Sequence, residues 1–270
     1  TLETKILITT TPDLGNYQDY PKSNKTDYYI YCQHALMSTH YAYNERAFDN
    51  FDIILCSGEY MINELRKREE MYNLRSKHLV KNGYSKLDFL IGQYKKIDEK
   101  QKNQHILFAP GWNGSHSLLE NGKAKKYINK ILNQGHKLYF KPHPESLKRS
   151  SKAIQQITKE FENNKNFTFY KDTLSANVIL ASSYLVTDWS GISLEYAFST
   201  GNPVLFIDTP QKRVNKNSHV LKIEAFESSI RDKIGYIWDG EKNISDYENK
   251  KDIEKIMREN IFNINNSDKL

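Results

Sequence analysis

Several kinds of protein are excluded by what this chain lacks. It has two cysteines in 270 residues, Cys32 and Cys56. That is too few for a disulfide framework, and each ends an apolar run as a small buried residue would. A reducing, cytoplasmic setting is therefore expected. No apolar run approaches the ~20 residues that span a bilayer. The N-terminal Thr1-Leu2-Glu3-Thr4 has neither the basic start nor the apolar core of a signal peptide. The missing initiator Met and the abrupt ending suggest a piece of a longer chain. Nucleophile-elbow GxSxG, CxxC, Walker and GxGxxG patterns are all absent, which leaves a serine hydrolase, a dithiol redox centre and the standard nucleotide loops without support. No DxD-like carboxylate pair ends a strand. His40, His78, His105, His116, His136 and His219 lack metal-ligand spacing.

What is present is a soluble composition, 38% hydrophobic and 27% charged, with 18 tyrosines and a net charge of +6. A basic balance suits nucleic acid, an acidic membrane surface or a phosphorylated substrate. The basic residues are dispersed and match no nucleic-acid-binding signature, so nucleic acid is not expected as a partner.

Hydrophobic patterning alternates short apolar runs with helical periods. Strands are expected at Lys5–Thr9, Tyr28–Cys32, Phe51–Cys56, His78–Val80, Ile106–Ala109, Lys137–Phe140, Phe167–Tyr170, Tyr184–Val186 and Val204–Ile207. Helices are expected over about Thr39–Phe48, Glu59–Tyr72, Gly83–Tyr94, a stretch ending near Asn133, Ser150–Phe161, Ser175–Ala181, a stretch following Ser190, and Ile253–Glu259. Ser57-Gly58 reads as a turn able to cap the second of these. The polar, Lys-rich Ile97–Gln104 marks a boundary between domains 1–100 and 101–270. Strand–helix alternation in both halves predicts an α/β protein of two Rossmann-like, doubly wound parallel-sheet domains facing a cleft.

Ligands of such sheets bind beyond the carboxyl ends of the strands. Four clusters fall there: Gln33-His34, Gly111-Trp112-Asn113-Gly114, Lys141-Pro142-His143-Pro144-Glu145 and Thr187-Asp188-Trp189-Ser190-Gly191. The last stands between a strand and a helix. Helix-start amides and the helix dipole suit a phosphate there; Ser190 and Ser193 could add hydroxyl donors, and Gly191 lets a ligand approach. Plain helix capping by Thr187, Asp188 and Ser190 explains the same residues. His34 has a general base's chemistry, or that of a hydrogen-bonded wall residue. His143 is held between two prolines, as a phosphate-oxygen donor or simply as part of a stiff turn. Lys141 alternates to the other side of its strand. Glu195 could meet a ribose hydroxyl or only solvent. Trp112 could stack on a base, wall the cleft or join the core.

Taken in order, these pieces resemble a known family. They are Thr10-Thr11-Pro12-Asp13-Leu14-Gly15, Tyr31-Cys32-Gln33-His34-Ala35, Phe51 to Gly58, Asn82-Gly83-Tyr84-Ser85-Lys86-Leu87-Asp88, Ile106 to Pro110, Phe140-Lys141-Pro142-His143-Pro144, Val186 to Gly191 with Glu195-Tyr196-Ala197, and Phe262 to Ser267. The chain is similar to the bacterial CDP-glycerol glycerophosphotransferases, which build teichoic acids and related capsular polymers. The resemblance implies a GT-B architecture, with an acceptor-side first domain and a donor-binding second one. It implies metal-independent transfer of glycerol phosphate, or a related polyol phosphate, from a CDP-linked donor to a hydroxyl of a polymer or lipid-linked acceptor, releasing CMP. His34 would be the general base and His143 the donor-diphosphate contact. Thr187, Ser190, Gly191 and Ser193 would form the phosphate-binding helix start. A cytoplasmic protein is implied, with peripheral contact to the inner face of the membrane allowed. The sequence departs from familiar members at Gln33-His34-Ala35-Leu36, where they carry Trp-His-Gly-Thr, and at Trp189-Ser190-Gly191, where they often carry Tyr-Ser-Ser. A GT-B glycosyltransferase using a nucleotide sugar is the rival reading, and a non-catalytic nucleotide- or polymer-binding module the second rival.

Overall fold

The computed structural model describes residues 4–16, 20–112, 116–171, 175–248 and 251–265. Asn113, Gly114 and Ser115 of the Trp112 loop, and Asn266 and Ser267 of the late segment, lie outside the described residues. In chain order the elements are β1 (Ile6–Thr9), β2 (Tyr28–Cys32), β3 (Ile53–Cys56), α1 (Glu59–Tyr72), β4 (His78–Lys81), α2 (Ser85–Lys96), β5 (His105–Phe108), α3 (Lys123–Asn133), β6 (Leu138–Phe140), α4 (Pro144–Arg149), α5 (Ser151–Phe161), β7 (Phe167–Phe169), α6 (Ala176–Leu180), β8 (Ser182–Thr187), α7 (Ile192–Thr200), β9 (Val204–Phe206), α8 (Phe226–Ser229), α9 (Arg231–Ile234), β10 (Gly235–Ile237) and α10 (Ile253–Asn260). Short 3-10 turns lie between some of them.

The chain divides into two compact units. The first comprises Thr1–Asp88, Lys212–Ile230 and Met257–Leu270; the second comprises Phe89–Gln211 and Arg231–Ile256. This differs from a single cut between 1–100 and 101–270, because two later segments join the first unit. Sequence patterning is blind to this: each returning segment is short, and its contacts are long-range.

The first unit carries a four-stranded parallel sheet in the order β1-β2-β3-β4. Its core is strongly aromatic. Tyr31 is fully buried, with its ring centroid 5.0 Å from that of Phe48 and 5.2 Å from that of Phe51. Met61 and Leu65 of α1 are also buried, as their spacing on one helix face predicts. No side chain caps α1 at Gly58. A glycine is needed there for space instead: a Cβ would meet the Asn260 carbonyl at 2.0 Å.

The helix expected over Thr39–Phe48 is a succession of turns. Its polar groups bond to distant residues rather than along a helix. Thr39 donates through its amide and hydroxyl to Glu64, each at 2.6 Å, and the Ser38 hydroxyl donates to Glu64 at 2.8 Å. The Ser38 amide donates to Glu227 at 2.9 Å. His40, also buried, has Nδ1 3.3 Å from Glu64 and Nε2 3.0 Å from the Ile223 carbonyl. Nε2 donates to the Ile223 carbonyl, while Nδ1 stands beside the Glu64 carboxylate without a well-formed hydrogen bond, and that negative charge favours a proton on it. Burial alone would lower the His40 pKa. Glu64, through hydrogen bond and charge, the Ile223 carbonyl and the charge of Glu227 together raise it above the ordinary histidine value. A raised folded-state pKa stabilises fully below the unfolded value of ~6.5 and less as pH climbs through the folded one. We expect the unfolding midpoint to fall as pH rises above neutral, and His40→Leu to flatten that slope. Parallel pH profiles for the two proteins would refute the buried imidazolium.

The second unit carries a six-stranded parallel sheet in the order β10-β9-β8-β5-β6-β7. Counted within this sheet from β5, that is 3-2-1-4-5-6, the doubly wound dinucleotide-fold order. Ile106, Phe108, Phe140, Val186 and Leu205 of the strands pack with Ile128 and Ile131 of α3, Ile154 of α5, and Trp238. The strand β10 was not foreseen. Its Gly235 lies so close to β9 that a Cβ would meet the Val204 carbonyl at 2.2 Å.

Candidate active site

In the second unit, strand order reverses between β5 and β8, which are hydrogen-bonded neighbours. The crevice of a doubly wound sheet opens beyond the carboxyl ends of such a pair. Here those ends are Ala109-Pro110-Gly111-Trp112 and Thr187-Asp188-Trp189-Ser190-Gly191, and they are tied together. The Thr187 hydroxyl donates to the Ala109 carbonyl at 2.6 Å, and the Gly111 amide donates to Asp188 Oδ1 at 2.7 Å. A Cβ on Gly111 would meet that same oxygen at 2.9 Å. Thr187 and Asp188 are buried. Their side chains build the turn and are directed into the protein, with neither serving as the cap of α7.

No side chain caps the start of α7 at Gly191. The Ser193 hydroxyl, buried, donates to the Ser190 carbonyl at 2.8 Å. Ser190 and Gly191 are half-buried, and they are the positions of this turn that a ligand can approach. Glu195 is half-buried in the first turn of α7.

A residue that patterning missed supports the turn from behind. Arg231 is buried, and its guanidinium donates to the Asp188 carbonyl at 3.0 Å and to the Ile207 carbonyl at 3.3 Å. It also stacks on Trp189 and Phe206, 3.9 and 4.0 Å from the ring centroids. Burial pulls its pKa down to about 10, while the charges of Asp188 and Asp208 oppose the shift, so Arg231 stays cationic at neutral pH.

The neighbouring strand end, after β6, carries Lys141 and His143. The Lys141 amide donates to the Phe108 carbonyl at 2.9 Å, and the His143 amide to the Pro110 carbonyl at 3.2 Å. These bonds fix the segment beside β5. Pro144 opens the short helix α4 with His143 as its N-cap, a position at which proline's missing N–H costs nothing. His143 Nδ1 accepts the Glu145 amide at 3.1 Å. An amide can only donate, so the proton of the neutral ring sits on Nε2, the tautomer able to donate to an anion. Trp112 lies 6.3 Å from His143, ring to ring, under the Arg149 guanidinium.

In the first unit, the end of β2 presents His34. Its ring is exposed, with Nδ1 2.8 Å from the Tyr31 hydroxyl and Tyr43 edge-on at 5.5 Å. The Tyr84 hydroxyl donates to the His34 carbonyl at 2.8 Å, fixing the loop to the start of α2. A cavity of about 450 Å³ opens beside His34. Its lining includes Gln33, Asn82, Ser85 and Lys86. Among the described residues no group of three or more His, Cys, Asp or Glu side chains is placed to hold a metal ion, and no helix is long and apolar enough to cross a membrane.

Residues 3–213 match the model of the CDP-glycerol:poly(glycerophosphate) glycerophosphotransferases. The chain belongs to this family. No curated protein sequence matches it. Among solved structures it is similar to the wall teichoic acid polymerase TagF (TM-score 0.58, 13% identity, 91% of this chain and 66% of that one). It is also similar to a histidine-to-asparagine variant of TagF (TM-score 0.60, 12% identity, 97% and 69%) and to that variant soaked with CDPG (TM-score 0.50, 14% identity, 75% and 53%). At these identities the likeness is one of fold, the GT-B type with two parallel α/β sheets. The chain spans about two thirds of the length of the first two. This chain has a histidine directly beyond the end of β2 and another in a Pro-His-Pro segment after β6, both beyond carboxyl ends of parallel strands. Arg231 lies beyond the matched residues.

Proposed function

We propose that the protein transfers glycerol phosphate, or a related polyol phosphate, from a CDP-linked donor to a hydroxyl of a cell-surface polymer or lipid-linked acceptor, releasing CMP without a metal cofactor. The family match over residues 3–213 carries this reading, and the two strand-end sites are compatible with it.

The second unit is assigned the donor. The α7 start at Ser190 and Gly191 takes the diphosphate, where amide dipoles and the helix end offset negative charge. His143 Nε2–H donates to a phosphate oxygen, with Lys141 as a nearby positive charge. The first unit is assigned the base. The acceptor oxygen attacks the β-phosphorus in line as the bond from that phosphorus to the bridging oxygen breaks. The acceptor's proton passes to His34 and then to solvent, and the electron pair leaves on CMP. Fixed donors are well suited to such a step, because phosphoryl transfer is governed mainly by positioning and charge stabilisation.

Incubation with CDP-glycerol and a glycerol phosphate oligomer is expected to lengthen the oligomer and release CMP, in EDTA as well as without it. CDP-glycerol should also raise the melting temperature, since a ligand at ~100 times its Kd adds about 2.7 kcal/mol of stability. Sugar transfer from a UDP- or GDP-sugar, with no response to CDP compounds, would replace this reading with a glycosyltransferase.

A further inference from the structure

Residues 212–223, which return to complete the first unit, include Lys212, Arg213, Lys216 and Lys222 and no aspartate or glutamate. Burial along this segment repeats every three residues. Asn215, Ser218 and Leu221 are buried, whereas Arg213, Lys216, His219 and Lys222 are exposed. The backbone explains the period. The Ser218 amide donates to the Asn215 carbonyl at 3.2 Å, Val220 to Asn217 at 3.0 Å and Lys222 to His219 at 3.2 Å, and Ser218–Leu221 is a 3-10 helix. Three residues per turn with a rise of ~2.0 Å bring side chains at i and i+3 into one row, about 6 Å apart. The run is pinned to the connection after β2 that begins at Gln33-His34. The Val214 amide donates to the Tyr41 carbonyl at 2.9 Å, and the Asn217 carboxamide donates to Glu45 at 2.8 Å.

Other cations of this unit are used internally: Arg66 pairs with Glu69, Lys67 with Glu70, Arg68 with Asp49 and Lys81 with Glu59. Among the described residues Arg213, Lys216, His219 and Lys222 form no ion pair. Arg213 lies over the Tyr41 ring, 5.2 Å from its centroid. Lys222 closes the run at a φ of +54°, so a lysine stands where the backbone would favour glycine. Lys216, His219 and Lys222 also lie beyond the residues that the family model matches.

We infer that the row from Arg213 to Lys222 is a track for the phosphodiester chain of a polymeric acceptor. A single row of cations at a regular step fits a linear polyanion, and successive phosphates separated by one glycerol recur on the same length scale. A flat anionic surface would call for a broad patch instead. The track holds the chain behind its reacting end, so it acts on long acceptors and leaves the donor alone. Its role rests on the phosphotransferase reading; its ligand class rests on the spacing and charge of the row.

Fluorescence anisotropy with glycerol phosphate oligomers of increasing length tests it. Affinity should climb with length and fall steeply with salt. The double variant Lys216→Ala, Lys222→Gly should weaken a long oligomer about tenfold or more, as loss of charged hydrogen bonds does, and should flatten the salt dependence. Lys222→Gly relieves a positive φ, so its melting temperature should not fall and weaker binding cannot be put down to unfolding. In turnover the double variant should raise KM for long oligomers, while KM for CDP-glycerol and for sn-glycerol 3-phosphate as acceptor holds. Oligomer binding indifferent to the two substitutions would overturn the track. So would equal binding of oligothymidylate, which would make the row a general polyanion surface, or a loss confined to phosphatidylglycerol vesicles, which would make it a membrane contact. CMP release from CDP-glycerol with an acceptor KM that ignores the substitutions would overturn the track and leave the proposed function standing. Substitution-sensitive oligomer binding with no CMP release from CDP-glycerol would keep the track and overturn the function.

Discussion

Replacing His34 with alanine is expected to cut turnover by ~10²–10⁴-fold, the usual contribution of a positioned base, with CDP-glycerol binding close to that of the unsubstituted protein. The geometry behind this lies one residue pair deep. Tyr31 is buried and its hydroxyl stands 2.8 Å from His34 Nδ1. Desolvation, with the neighbouring Tyr43 hydroxyl adding to it, drives the Tyr31 pKa far above that of an ordinary phenol. Tyr31 therefore keeps its proton throughout the working range and cannot relay one. If His34 is the proposed base, the service of Tyr31 is orientation: by accepting a proton from Nδ1 it would leave the Nε2 lone pair for the acceptor hydroxyl. The limb of the pH–rate profile that rises as imidazole deprotonates should vanish in His34→Ala. Tyr31→Phe, which keeps the ring in the core, should lose activity by a smaller factor. Unchanged turnover in His34→Ala would remove His34 from the chemistry.

Arg231→Ala is expected to destabilise the protein by roughly 3–5 kcal/mol, in the range found when one member of a buried polar pairing is deleted. Three losses add. The Asp188 and Ile207 carbonyls lose their donors, at about 1–3 kcal/mol each if left unsatisfied. The cation–aromatic contacts with Trp189 and Phe206 disappear. The space between the rings must collapse or stay empty. Arg231→Lys keeps the charge but not the flat, forked donor set, so it should recover less than half of the loss. Chemical denaturation of the three proteins measures this. A lysine variant as stable as the arginine protein would mean that charge alone matters. An alanine variant with an unchanged midpoint would mean that the turn is held by its other bonds.

Much of the architecture could be read from the chain because parallel strands buried on both faces are continuous apolar runs, and Ile106–Phe108, Leu138–Phe140 and Val204–Phe206 are such runs. The clusters Gln33-His34, Lys141 to Glu145 and Thr187 to Gly191 stand at or directly after the carboxyl ends expected of them, and Gly111-Trp112 follow β5 shortly after, for the same reason: the polar residue that stops the run is the one left at the strand's end. What could not be read depends on partners far away in sequence. Glu64 draws Ser38, Thr39 and His40 out of a helix from 24 to 26 positions away. Arg231 and Asp188 are 43 residues apart. The roles of Thr187, Asp188 and Ser193 as builders of the turn became visible only with their hydrogen bonds, since a hydroxyl that serves a ligand and one that serves a neighbouring carbonyl look alike in sequence.

The dispersed make-up of the first unit also governs the order in which the protein can mature on the ribosome. Phe262 closes against Ser57, its amide donating to that carbonyl at 2.8 Å, and Asn263 donates to the Lys81 carbonyl. Both stretches of the second unit are translated before residues 257–265. Domains usually fold in the order of their synthesis. Here the unit that is begun first must be finished last, with the hollow over Gly58 waiting for Asn260 while the six-stranded sheet is already complete. A nascent chain stalled before residue 257 would carry a finished second unit and an open first one, a substrate for chaperones.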